Sequence, residues 1–182
     1  IEDVDFSLWL ADTLDFELIS LQPVNNQQLV LTTSTPLAWK PFILENQNYS
    51  LQDSVTGEKG DIREVYLIAE DKLGLITTPQ LGGHRYYLTV KKLQNIYGKI
   101  KANLTVLFTS SSISDTLSPD IEEISLKNRQ RNVLVDKIIK VTFNKPIRPA
   151  YYPQVVVKDS FGVACSLKLD WITPIQLQIR FK

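Results

Sequence analysis

The residue types that most often carry chemistry are few in this chain and stand far apart. There is one histidine, His84, and one cysteine, Cys165, among 182 residues. His84 follows Gly82 and Gly83 in a turn-like stretch and has no second histidine or cysteine at zinc-ligand spacing, so it reads as a surface turn residue. Cys165 lies between Ala164 and Ser166 with no histidine in its half of the chain, which suits a small apolar strand residue better than a nucleophile. No serine stands in a Gly-x-Ser-x-Gly elbow, and no glycine-rich phosphate loop is present. Glu122 and Glu123 are adjacent and so face opposite sides of a strand, which separates them as an acid/base pair. Asp115 and Asp120 share one polar stretch, where calcium could take carboxylate and carbonyl oxygens as ligands. No catalytic, cofactor-binding or resident metal residue is expected beyond that calcium, and the chain reads as a non-enzyme. Trp39, Tyr151 and Tyr152, with Trp9 and Trp171, could stack on the apolar faces of pyranose rings, and Tyr151-Tyr152-Pro153 is the most exposed-looking cluster. Asn48-Tyr49-Ser50 and Asn103-Leu104-Thr105 match the N-glycosylation acceptor pattern.

The elements that must position these residues follow from composition and period. Lys plus Arg and Asp plus Glu balance at 20 each, so no basic field exists to hold a phosphate backbone and nucleic acid is not expected as a partner. With 43% hydrophobic and 22% charged residues the chain has the balance of a folded globular protein. No apolar run approaches the roughly 20 residues that cross a bilayer, so membrane insertion is not expected. A single cysteine excludes an intrachain disulfide. Methionine is absent even at position 1, so the chain reads as a mature product or a piece of a longer polypeptide.

Helical periodicity is almost absent. Short segments rich in Val, Ile, Leu, Thr and Tyr are punctuated every ten residues or so by Pro, Gly, Asn and Asp, the pattern of an all-β sandwich. The only helical turns it suggests precede the first strand run or follow Pro149. Residues 110–120 are a polar linker rich in serine. The organisation expected is an N-terminal extension over 1–15, a sandwich over 16–110, a linker over 111–120 and a second sandwich over 121–182. In the extension, Phe6, Leu8 and Leu10 alternate with polar neighbours and form a candidate extra strand. Alternation predicts Leu29 and Leu31 in one core, and Val141 and Phe143 in the other.

One pattern recurs in both halves. Leu18 to Leu21, an Asn-rich turn, Leu29 to Thr33 and then Pro36-Leu37 are echoed by Ile124 to Leu126, Asn132 to Asp136, Ile138 to Phe143 and then Pro146-Ile147. On Pro119, Asn132 to Asp136 and Val141 to Pro146 the second half resembles the bacterial immunoglobulin-like domains of S-layer proteins and large surface adhesins. The first half resembles the same group at Asn48 to Leu51, Leu75 to Thr78, Leu81 to Val90 and Asn95 to Gly98. The resemblance implies two tandem immunoglobulin-like sandwiches. It places Gly82 or Gly83 at a positive φ and Tyr87 at a sandwich corner with its ring buried. It also implies an extracellular structural or adhesive module that meets other domains or copies of the same surface protein, with glycans as further candidate partners. A receptor- or carbohydrate-binding accessory role is the alternative. Members of the group continue beyond the strand equivalent to Ile175–Phe181, so the second sandwich is expected to be short of its last strands. Another polypeptide could supply them by strand addition, with Phe6, Leu8 and Leu10 as the candidate donor in a filament.

Overall fold

The computed structural model describes residues 15–116, 118–126, 130, 133–134, 136–147 and 155–182. The chain divides into two compact units, Ile1–Asp115 and Thr116–Lys182. Every strand pairing is antiparallel.

Unit 1 holds β1 (Leu18–Asn25), β2 (Gln28–Thr33), β3 (Tyr49–Asp53), β4 (Lys59–Gly60), β5 (Ile62–Ala69), β6 (Lys72–Thr77), β7 (Arg85–Gln94) and β8 (Ile100–Thr109). They form two sheets, ordered β1-β2-β6-β5 and β4-β3-β7-β8. The chain lays down a pair of strands in one sheet and then a pair in the other, so each sheet is built from non-consecutive pairs. Lettered in chain order with β4 as C′, the orders are A-B-E-D and C′-C-F-G. Alternation makes the core. Leu29, Leu31, Leu73 and Leu75 from the first sheet and Leu88 and Val90 from the second are fully buried, joined by Tyr49, Leu51, Val65, Tyr86 and Phe108. Between β2 and β3 a single helical turn, α1 (Pro41–Leu44), places Ile43 in this core. It stands where no helical turn was expected. Pro41 at the head of the turn, with its φ preset and no N–H to satisfy, is the local cause.

Side chains tie the irregular segments to the sheets. The Asn48 amide donates to the Lys92 carbonyl (2.8 Å) and accepts from the Lys92 N–H (3.0 Å), replacing ladder bonds where β7 leaves β3. Asn95 is fully buried. Its Oδ1 accepts from the N–H groups of Tyr97 and Lys99, and its amide donates to Thr35. On the other face of the β1-β2-β6-β5 sheet, Tyr66 lies across Gly74, its directly paired residue on β6. A Cβ at Gly74 would stand 2.2 Å from Tyr66 Cζ, so only glycine leaves room for the ring. The Tyr66 hydroxyl accepts from Gln28 Nε2 at 2.8 Å, and burial pushes its pKa up to about 12.

Unit 2 holds β9 (Ile121–Ile124), β10 (Ile139–Phe143), β11 (Leu167–Thr173) and β12 (Gln176–Phe181) in one sheet ordered β11-β12-β10-β9. Val141 and Phe143 are buried with Ile139, Leu177 and Ile179, while Leu167, Leu169, Trp171 and Phe181 are partly buried against them. The plan is the A-B-E-D sheet of unit 1 again, with β9, β10, β11 and β12 in the places of β1, β2, β5 and β6. Three backbone hydrogen bonds repeat position for position. Thr33 N–H to the Asp71 carbonyl matches Phe143 to Ile175, Ser34 to Glu17 matches Asn144 to Asp120, and Leu37 to Glu70 matches Ile147 to Pro174. The echo of Pro36-Leu37 in Pro146-Ile147 is therefore structural.

Candidate functional site

The sites a sequence reading selects fall in different places. Phe6, Leu8, Leu10, Trp9, Tyr151 and Tyr152 lie outside the described residues. Trp39 is described and is 73% exposed. It follows Ala38, whose N–H is bonded to the Gln94 carbonyl, and precedes α1, so the ring stands on an anchored segment. With Lys40, Pro41, Ile43, Leu44 and Leu67 it lines an open groove of about 180 Å³. The lining is mostly apolar, and Lys40 is the charged residue in it. Trp171 is half-buried, packs on Phe143 with centroids 5.6 Å apart, and belongs to the unit 2 core.

His84 is a turn residue with its side chain 41% exposed, and the structure gives it a partner that spacing did not reveal. Its Nδ1 lies 2.9 Å from Oδ2 of Asp53, which is 2% exposed at the end of β3. Oδ1 of the same carboxylate accepts from the N–H groups of Val55 and Thr56. The Thr56 N–H, then the His84 hydrogen bond, then the Val55 N–H hold the Asp53 carboxyl at about 2, well below the ordinary carboxylate range. An ionised carboxylate only accepts, so His84 Nδ1 carries the proton. The carboxylate is thus fully engaged in closing a turn. It pins the β3–β4 connection to the segment that enters β7, where Ser54 N–H also bonds to the Arg85 carbonyl. Aspartate followed by Ser-x-x-Gly was the available signal, since an Asx turn needs that carboxylate and Gly57 takes φ 74°.

The corner tyrosine is Tyr86, not Tyr87. Tyr86 is 6% exposed, stacks on Phe108 and accepts the Leu81 N–H on its hydroxyl at 3.0 Å. Tyr87 is 41% exposed on the opposite face. Strand parity decides it, because Leu88 and Val90 face the core and only even-numbered neighbours share their side. Of the two glycines before it, Gly83 takes positive φ (77°), while Gly82 packs against Ser112.

Among the described residues no three His, Cys, Asp or Glu side chains converge where a metal ion could sit. Asp120 caps its own strand, its Oδ1 accepting the Ile121 N–H. Cys165 is half-buried, and its N–H bonds to the Val157 carbonyl. The Asn48 side chain is spent on Lys92, whereas Asn103 is exposed on edge strand β8 with φ 52°. No helix among the described residues is long and apolar enough to cross a membrane.

No family model matches the chain, and no curated protein matches it in sequence. Solved structures do. A crystal structure of the S-layer protein SbsC is similar over 86% of this chain with a TM-score of 0.50 and 15% identity, and a structure of domains 1–6 of SbsC over 87% with the same score and identity. The N-terminal part of SbsC is similar over 93% of the chain, with a TM-score of 0.50 and 13% identity. The chain spans 20% of the length of the first two and 41% of the third. At this identity the likeness establishes a shared all-β fold.

Proposed function

We propose that the chain is a structural module of an extracellular surface protein, a stiff spacer or assembly element made of immunoglobulin-like domains, and that it performs no catalysis. The observation that carries this reading is the repetition of one four-stranded sheet plan, down to three equivalent backbone hydrogen bonds, in two successive units. Three further observations favour it. Unit 1 has the A-B-E-D and C′-C-F-G strand orders and a tyrosine at the start of the F strand bonded back to the chain, both marks of immunoglobulin-type sandwiches. The one histidine–carboxylate pair closes a turn. The solved structures of similar fold are of a surface-layer protein. A surface location and contacts with other domains or copies of the same protein follow from that reading, with calcium at residues 115–120 and a strand donated by Phe6, Leu8 and Leu10 as finer proposals within it. The test is assembly of the whole chain, followed by sedimentation and electron microscopy over rising concentration, with and without calcium. Ordered arrays or filaments are expected. A chain that stays monomeric throughout and hydrolyses a substrate would overturn the reading.

Trp39 supports a second reading, a glycan-binding accessory role, because an exposed indole beside an apolar groove suits a pyranose face. Glycan-array binding that disappears in Trp39→Ala would establish it; an empty array would remove it.

A further inference from the structure

Two stretches of unit 1 carry the acceptor pattern for N-linked sugar, Asn48-Tyr49-Ser50 and Asn103-Leu104-Thr105. The fold separates them. Asn48 is 6% exposed, and both ends of its amide are engaged: Nδ2 donates to the Lys92 carbonyl and Oδ1 accepts the Lys92 N–H. Tyr49 beside it is 4% exposed and donates its hydroxyl to the Ile43 carbonyl. A sugar on Asn48 Nδ2 would need space that the folded unit does not have, and it would displace the contact that holds β7 where it leaves β3.

Asn103 is the reverse case. It is exposed on β8, the edge strand of its sheet, and its φ of 52° is the one positive value at a non-glycine among the described residues. The β7–β8 ladder runs from Val90 paired with Leu104 to Lys92 paired with Ala102 and passes over it. Thr105, which supplies the hydroxyl the pattern requires, is exposed too, its Oγ1 3.1 Å from that of Thr89. Leu104 between them packs against the core, so the strand is anchored by its middle residue while both residues of the pattern stay at the surface. A left-handed position alone would be served by glycine, and that need does not call for a hydroxyl two residues on. The place also suits a bulky polar graft. Strand β8 is ten residues long with Lys101 as its only charge, the kind of edge that proteins cover.

We infer that Asn103 is an acceptor for an N-linked oligosaccharide and that Asn48 is not. The donor is an oligosaccharide carried on a lipid diphosphate. Asn103 Nδ2 bonds to the anomeric carbon as the bond from that carbon to the diphosphate oxygen breaks. The lipid diphosphate leaves with the electron pair and takes up the proton lost from Nδ2, and nothing is oxidised or reduced. The inference rests on the extracellular reading, because the chain meets such a donor only on its way across a membrane. It does not depend on assembly.

The test is to send the full chain, behind a secretion signal, through a eukaryotic secretory pathway and to map glycopeptides of the secreted protein before and after peptide N-glycosidase. Most of the secreted chain is expected to carry one glycan on Asn103 and none on Asn48. Two variants keep the test independent of folding. Asn103→Gly preserves the positive φ while removing the amide, and Thr105→Val preserves shape and Asn103 while removing the hydroxyl. Each should be secreted with unit 1 folded and with the glycan lost. Three results overturn the inference: a secreted chain bare at Asn103, a glycan on Asn48 of a chain whose unit 1 is folded, or a glycan that persists in Thr105→Val. A bare Asn103 on a chain that still forms arrays sinks this inference and leaves the structural role standing, whereas a glycan on Asn103 of a chain that never assembles does the opposite.

Discussion

Unit 1 and unit 2 share a sheet order and three hydrogen bonds, but the described residues of unit 2 form one sheet where unit 1 forms two. The A-B-E-D sheet carries the same pattern of inward residues in both: Leu29, Leu31, Leu73 and Leu75 in one, Ile139, Val141, Leu177 and Ile179 in the other. What differs is the second layer. The difference teaches that an alternating strand supplies one apolar face, and that this face can be covered by a second sheet, as in unit 1, or by flanking residues such as Leu126, Ile147 and Val155, as in unit 2. Leu73 and Leu177 are enclosed alike, at 0% and 1% exposed. They are the same residue at the same position of the plan, each paired across its sheet to the inward residue of the B strand, Leu31 or Val141.

Truncating these two leucines gives the largest expected effects. Leu73→Ala and Leu177→Ala should each cost about 3 to 4 kcal/mol, since both side chains are fully enclosed. Urea unfolding followed separately for each unit, with Trp171 reporting unit 2, measures both. Clearly unequal costs would break the comparison. Gly74→Ala should destabilise unit 1 by about 2 to 3 kcal/mol through overpacking against Tyr66, and Tyr66→Ala in the same chain should recover part of that loss. The equivalent pair in unit 2 is Asp170 and Gln178, and Gln178→Ala should leave stability within about 0.5 kcal/mol. Removing the Tyr86 hydroxyl as Tyr86→Phe should cost about 1 kcal/mol, and Tyr87→Phe close to nothing.

The finest comparison is with pH. The Asp53 carboxyl is held at about 2 against an ordinary 3.8, so its contribution to unit 1 is complete above about pH 4 and is lost as pH falls through about 2. Acid unfolding of unit 1 should show this loss, and Asp53→Asn should remove that part of the pH dependence.

Much of this fold was legible because parity is a local property. The strands around Leu29, Val65, Leu73, Tyr86, Val141 and Leu177 announce themselves by alternation, and the Pro-apolar pairs at 36–37 and 146–147 carry the repeat. The corner tyrosine was misplaced by one residue because Tyr86 and Tyr87 are adjacent and chemically identical, so only the phase of Leu88 and Val90 separates them. The Asp53–His84 pair was invisible, because 31 residues separate two side chains that meet only when β3 and β7 become neighbours. Tyr66 on Gly74 was missed for a related reason. A glycine in a strand signals a close approach, but not which residue approaches.

The position of β7 and β8 at the end of unit 1 also has a consequence for biosynthesis. A nascent chain leaving the ribosome exposes β1 to β6 before the strands that cover them have been made. For that interval Leu29, Leu31, Leu73 and Leu75 stand uncovered, and the edge of β3 that β7 will occupy is open to any extended segment nearby. The final hairpin, joined by a five-residue connection between Gln94 and Ile100, forms from local contacts and so arrives quickly. Translation pausing while β7 and β8 are still inside the ribosomal exit tunnel would prolong the sticky interval, whereas pausing after both have emerged would not.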